Sequence, residues 1–531
     1  MAAQWDFLIF GLLAVVAALV ALARYVRAPY PVVLVLGGLA LGFIPIMPQA
    51  TLPPDLVLLV FLPPILYSAA FFSSPQELKR NLTAIASLGG GVTLITGVVV
   101  AWVAHVAVGL PWAAAFVLGA IVAPTDPITI NALGDRLGAP RQILTILEGE
   151  SLINDGIALV LYHVALGVAF TGHFSAGGAI LTFVLYVVGG VGIGLAVGWV
   201  VHQIRRRIND RLVEITISLL TSYAAYIPAN ELNVSGVLAA VAAGLYLGWY
   251  SPEMSGPRSR LQMFEVWEVL PFLLNSLLFL LIGLQLPGIL NAIEGYPMPL
   301  LLRDAGLIVL AVIAARALSA YPLAYIPRLC SRRAREGDAY GSWQRVTLVA
   351  YAGMRGGISL ALALAVPLTT ATGAAFPGRN LILFVTFCVI LLTMVPQGLT
   401  LPLLARRLGF AGSGDLEERE EAEARLRAAE AALARIEELA SEEWVTEEIA
   451  ETLRQFYEHR RQRFAARFAE ESDQQDVDYE ERSQTSRRLR REALQAERAA
   501  LLRLRNDGRI SDSVRRRVER DVDLEDTRLG G

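Results

Sequence analysis

Apolar residues run along this chain in long blocks separated by short polar turns. Thirteen such blocks occur, near residues 5–26, 31–47, 55–72, 83–108, 112–133, 144–170, 176–203, 211–228, 232–250, 264–286, 298–326, 345–368 and 379–405. At about 1.5 Å per residue, each can carry a helix through most or all of a hydrocarbon layer about 30 Å thick. The turns are sorted by charge. Arg24/Arg27, Lys79/Arg80, Arg136/Arg141, Arg205–Arg207 with Arg211, Arg258/Arg260, Arg328–Arg335 and Arg406/Arg407 fall on one side. The opposite loops, Met47–Pro54, Leu110–Trp112, Thr171–Gly178, Asn230–Leu232, Pro287–Pro299 and Ala371–Arg379, carry almost no basic residues. That is the asymmetry of the positive-inside rule. It puts the amino terminus outside and the carboxyl-terminal tail in the cytoplasm, and one span more or fewer would scramble it. The first block, Trp5–Val26, is too long for a cleavable signal and counts as a span. The fold class expected is an all-α, multi-pass protein of the cell (inner) membrane with about thirteen transmembrane helices.

Composition sharpens this picture. With 54% hydrophobic and only 18% charged residues over 531 positions, the chain is no soluble globular protein. The net charge of -3 says little, because charge is unevenly placed. Residues 1–408 are nearly all apolar and make a transmembrane domain; residues 409–531, after the small-residue linker Gly409–Gly414, make a charged helical tail. From Asp415 the tail mixes Glu and Arg at i,i+4 spacing. Leu426, Ala429, Leu433, Ile436 and Ala440 form an apolar stripe that permits a dimer contact. Ser472–Ser486 is a polar break, Arg487–Leu504 is helical again, and Asn506-Asp507-Gly508 makes a turn. Cys330 and Cys388 suggest neither a disulfide framework nor a metal site. His105, His163 and His173 read as ordinary polar anchors rather than pH sensors.

Two spans are interrupted at mid-depth. Span 5 contains Ala123-Pro124-Thr125-Asp126-Pro127, and span 12 contains Ala352-Gly353-Met354-Arg355-Gly356-Gly357. Prolines flanking a Thr-Asp pair cannot sit in an unbroken helix, and unwound backbone at that depth survives only where it lines a cavity or is covered. The two spans run in opposite directions. A pair of broken helices in inverted positions points to a transporter site, crossed between inverted repeats.

Between them, span 6 opens with Leu147-Glu148-Gly149-Glu150-Ser151-Leu152-Ile153-Asn154-Asp155-Gly156. Intramembrane carboxylates are costly and mark functional sites. Ser151 and Asp155, four apart, share a helix face. With Thr125 and Asp126 they supply the oxygens that hard monovalent cations prefer. Burial and a neighbouring carboxylate both favour the protonated form of an acid. Such a group can hold a proton and surrender it to an incoming cation, which is antiport chemistry. The plainer use of the same carboxylates is to satisfy backbone donors at the break. No nucleotide-binding loop, metal cluster or catalytic triad is present, so the chain reads as no enzyme and any uphill movement must be gradient-driven. No cofactor and no nucleic-acid partner are expected.

The motifs PTDP, LEGESLINDG, Leu273-Leu274-Asn275-Ser276-Leu277 with Ile282-Gly283-Leu284, and GMRGG followed by Ile358 to Leu364 together resemble the monovalent cation/proton antiporter family. The branch they resemble holds bacterial sodium/proton antiporters and animal sodium/proton exchangers. The resemblance implies that Asp155 is the essential ion- and proton-binding carboxylate, that Thr125, Asp126 and Ser151 are sodium ligands, and that Asn154 marks electroneutral exchange. It implies that Glu150 pairs with a buried arginine, Arg316 or Arg355; Arg316 is favoured because Ala314–Tyr321 offers it no other use. Arg355 would then neutralise carbonyls or dipoles at the broken helix. It also implies a homodimeric scaffold against which spans 5, 6 and 12 move, with a tail whose ligand is unknown. One position departs: Ser68 stands where many members carry a Glu. Asn275 and Ser235-Gly236 match as well, the latter pair read as packing. The expected function is exchange of sodium or lithium for protons, serving pH homeostasis. The alternatives are potassium/proton exchange by the same fold, or a cation channel gated by the tail.

Overall fold

The structure, a computed structural model, describes residues 2–44, 57–126, 141–173, 175–208, 210–254, 256–293, 295–330, 342–370, 373–410, 414–442, 444–468 and scattered positions between 489 and 525. Pro127, Arg136, the 47–54 loop, Arg332–Arg335 and the 472–486 break lie outside the described residues. Two compact units result, Met1–Ser413 and Gly414–Gly531.

The first unit is helical, with one isolated bridge, between Thr369 and Ala375, among the described residues. Its helices of eight residues or more are α1 (Ala2–Val26), α2 (Tyr30–Gly42), α3 (Val57–Phe72), α4 (Leu82–Val106), α5 (Trp112–Val122), α6 (Arg141–Thr171), α7 (Ala176–Arg205) and α8 (Arg211–Glu231). Then come α9 (Gly236–Met254), α10 (Pro257–Leu284), α11 (Met298–Cys330), α12 (Trp343–Tyr351), α13 (Gly357–Leu364) and α14 (Arg379–Arg407). Among the described residues seven helices are long and apolar enough to cross a membrane. Some others are shorter for a visible reason. Helix α5 stops at Val122 because Pro124 cannot continue it, and α12 and α13 are the two halves of one interrupted span.

Local chemistry explains several boundaries. Ser175 caps α7 by accepting from the Gly178 N–H, and Asp210 caps α8 by accepting from the Val213 N–H at 3.0 Å. Ser235 caps α9 through the Leu238 N–H. Helix α3 opens as a wide π turn over Val57–Phe61, because Pro63 and Pro64 have no N–H to give the preceding carbonyls.

Helices that frame the cavity pack closely where small residues allow it. Helices α2 and α10 cross at Gly38 and Gly283; a Cβ on Gly283 would lie 2.2 Å from the Val35 carbonyl oxygen. Helix α5 is sunk in the core, with Ala114, Leu118 and Ile121 fully buried. The histidines bond locally: His105 donates to the Leu110 carbonyl and stacks on Trp112, and His163 donates to Leu159.

In the second unit, α15 (Gly414–Leu439) and α16 (Glu447–Phe468) fold back on one another. Ala429 and Leu433 of the apolar stripe are buried there, along with Ala450 and Phe464, and Arg425 lies 5.5 Å above the Phe464 ring. That stretch of the stripe is therefore used within the tail itself.

Candidate functional site

Helix α6 carries two polar stripes. Positions 148, 151 and 155, three and four apart, share one face. Positions 150 and 154 lie on a face about 100° further round. The first stripe faces a cavity of about 460 Å³, and the second turns into protein. The remaining walls come from Ser68 on α3, Pro124–Asp126 after α5, Trp267 and Asn275 on α10, and Gly357 and Ser359 at the start of α13. Asp155 is 4% exposed and Thr125 6%.

The two breaks meet at this cavity. The Asp126 N–H donates to the Met354 carbonyl at 2.8 Å, joining the unwound segments backbone to backbone. Gly356 then comes so close that a Cβ there would lie 1.7 Å from Asp126 Oδ2. Helix α13 begins at the next residue, so the positive end of its dipole lies beside the Asp126 carboxylate. The negative ends of the two half-helices are met by arginines. Arg355 Nε donates to the Val122 carbonyl at 3.0 Å, the last of α5, and Nη1 donates to the Gly353 carbonyl. Arg316 donates to Val349 at 2.9 Å and Ala350 at 3.1 Å, near the end of α12. Each break thus leaves carbonyls that a guanidinium satisfies.

Arg316 also pairs with Glu150, through Nη1–Oε1 at 2.5 Å and Nη2–Oε2 at 3.1 Å, and both side chains are buried. Glu150 Oε1 accepts from the Thr125 hydroxyl at 3.1 Å; that hydroxyl accepts from Asn154 Nδ2 at 2.8 Å. Ser151 Oγ donates to the Thr125 carbonyl at 3.1 Å. The result is a bracket, Arg316–Glu150–Thr125–Asn154, that clamps the break after α5 to helix α6.

Of the residues singled out from the sequence, Thr125, Asp126, Ser151 and Asp155 come together on the cavity wall. Asn154, Glu150, Arg316 and Arg355 do not line it and sit behind it. The Thr125 hydroxyl is engaged as both donor and acceptor in the bracket, which leaves its carbonyl nearer the role of ligand. Ser68 lines the cavity, buried, with its hydroxyl turned onto the Ile65 carbonyl at 2.8 Å. Glu148, Glu268 and Ser359 also line it and were not among the residues singled out. Glu148 could have been found from its spacing of three and seven to Ser151 and Asp155; Ser359 carried no comparable signal.

The chain matches, over residues 11–407, the family described as "Sodium/hydrogen exchanger, transmembrane". An uncharacterized Na+/H+ exchanger of Mycobacterium tuberculosis is 38% identical, over 99% of this chain and 97% of its own. The Na+/H+ antiporter ApNhaP of Aphanothece halophytica is 35% identical, over 73% of this chain and 71% of its own. Among solved structures, the sodium proton antiporter MjNhaP1 of Methanocaldococcus jannaschii gives a TM-score of 0.61 at 22% identity, covering 77% of this chain and 100% of that one. The fold of the transmembrane unit is shared with it.

Proposed function

The chain belongs to the sodium/hydrogen exchanger family, and on that premise we propose that it exchanges sodium or lithium for protons at Asp155. The observation that carries this reading is the meeting of Asp155, Ser151 and Asp126 on one cavity wall, where two broken helices touch. A proton and a cation compete there for the same carboxylate. When the cation arrives, the Asp155 proton leaves through the cavity, and the reverse follows on the other side of the membrane. Thr125 and Ser151 add neutral oxygens, and Asp126 a second carboxylate held at the N-terminus of α13. Asn154, Glu150, Arg316 and Arg355 position these groups without binding the ion.

Exchange is electroneutral in this reading. The amide of Asn154 is tied to Thr125 and cannot titrate, so one proton trades for one cation. The cell membrane, a cytoplasmic tail that adjusts the pH response, and a homodimer are parts of the same proposal. Potassium is the second reading. Ser68 favours it, because a wall without that carboxylate demands less dehydration energy of its ion.

The test is proton flux in proteoliposomes holding a preset pH gradient, with sodium, lithium and potassium added in turn. Sodium or lithium should collapse the gradient, an imposed voltage should not accelerate the collapse, and Asp155→Asn should abolish it. Exchange persisting in Asp155→Asn would remove that carboxylate from the mechanism. A response to potassium alone would select the second reading.

A further inference from the structure

Around Asp155, the hydroxyls already described have partners. The Thr125 hydroxyl serves Glu150 and Asn154, the Ser151 hydroxyl gives its proton to the Thr125 carbonyl and keeps its lone pairs, and the Ser68 hydroxyl is turned onto its own helix. Two other residues of the wall differ. Ser359 and Asn275 are 1% and 6% exposed, and neither Ser359 Oγ nor Asn275 Oδ1 has a hydrogen-bond partner. Both residues line the cavity that Asp126 and Asp155 line.

The surroundings of Ser359 explain how this arises there. Many helical hydroxyls in this protein turn back onto a carbonyl three or four residues earlier, as Ser319 does onto Ala315 at 2.6 Å and Thr393 onto Val389 at 2.7 Å. For Ser359 that carbonyl would belong to Arg355, inside the break. Because α13 starts only at Gly357, the hydroxyl has lost its usual acceptor. Asn275 stands one turn beyond Pro271, which lines the same wall. Buried polar atoms are nearly always bonded, and leaving one unbonded is costly. Two such oxygens on one cavity wall are sites for a ligand that accepts electron pairs.

We infer that Asn275 and Ser359 are cation ligands, completing with neutral oxygens the shell that Asp155 and Asp126 begin, and that they set the ion preference of the site. This rests on the proposed exchange at Asp155. Small hard cations are held by several oxygens at once. With Ser68 offering no carboxylate, neutral oxygens across the cavity supply the missing positions. Asn275 comes from α10, which packs on α2 and α3; Asp155 comes from α6, which packs on α5. The separation of those two groups of helices sets the ion radius that the four ligands fit together.

The experiment is cation titration of exchange by the purified full chain in proteoliposomes, for sodium, lithium and potassium. Wild type is compared with Ser359→Ala, Ser359→Thr, Asn275→Ala and Asp155→Asn. Losing one ligand oxygen should raise the sodium KM roughly tenfold, with a smaller change in kcat, and should alter the order of KM among the three ions. Ser359→Thr keeps the oxygen and should restore both. The inference is overturned if Asp155→Asn is inactive while Ser359→Ala and Asn275→Ala keep wild-type KM values and ion order. Exchange surviving in Asp155→Asn instead overturns the parent reading, and this one with it. Should Asn275→Ala fail to fold, Ser359→Ala against Ser359→Thr decides alone.

Discussion

Arg316 is the residue whose removal should cost the transmembrane unit most, and the cost can be worked out from its bonds. Arg316→Met deletes two hydrogen bonds to Glu150 and one each to the Val349 and Ala350 carbonyls. Removing one partner of a buried ion pair costs about 3–5 kcal/mol, because the other charge is left buried and uncompensated. The two stranded carbonyls add about 1 kcal/mol each. A loss of about 5–7 kcal/mol is therefore expected, or about 10–15 °C in the unfolding midpoint. Glu150→Gln should be milder, about 2–3 kcal/mol. The amide oxygen still accepts from Thr125, and the Val349 and Ala350 carbonyls still accept from Arg316, which offsets part of the cost of leaving the guanidinium without its counter-charge. The double variant should be less destabilised than the sum of the two, with a coupling of about 2 kcal/mol.

Thermal unfolding of detergent-solubilised protein, followed by tryptophan fluorescence, measures all three variants. The prediction is of order as well as size: Glu150→Gln mildest, with Arg316→Met and the double variant close together and far worse. Equal effects from the two single changes, or strict additivity in the double, would refute the account of Glu150 as a charge that depends on Arg316.

Three further outcomes follow from the same geometry. Gly356→Ala places a Cβ on the Asp126 carboxylate, and displacing that carboxylate by about 1 Å should cost roughly a hundredfold in exchange rate; wild-type flux in a folded variant would mean that Asp126 does not need its place. Thr125→Val removes the hydroxyl between Glu150 and Asn154, which should lower stability by about 2–3 kcal/mol and slow exchange, whereas Thr125→Ser should approach wild type in both midpoint and flux. A chain ending at Ser413 should retain measurable exchange with an altered pH response; complete loss in a folded truncation would tie the tail to transport itself.

What could be read from the residues and what could not divide along a physical line. Features carried by one segment were legible. Pro124 stops α5 by its own chemistry, and GMRGG breaks the span between α12 and α13 by its own flexibility, so both interruptions were visible in sequence. The shared face of Ser151 and Asp155 follows from a spacing of four on one helix. Features set by where two segments meet were not legible. Glu150 lies one residue from Ser151 and Asn154 one from Asp155, and nothing local says which pair faces the cavity; that depends on where the break after α5 docks. For Arg316 and Arg355 the sequence favoured the first as the partner of Glu150, as the structure has it, but not which half-helix end lies in front of each guanidinium. Ser359 is the extreme case, since its hydroxyl is orphaned by the residue at which α13 happens to restart. The groups that position the ion site are therefore the least visible in sequence, because each acts by satisfying backbone that another segment has left open. Substitutions behind the cavity, at Arg316 or Arg355, should accordingly alter transport and stability together. Substitutions on its wall, at Ser359 or Asn275, should separate the two.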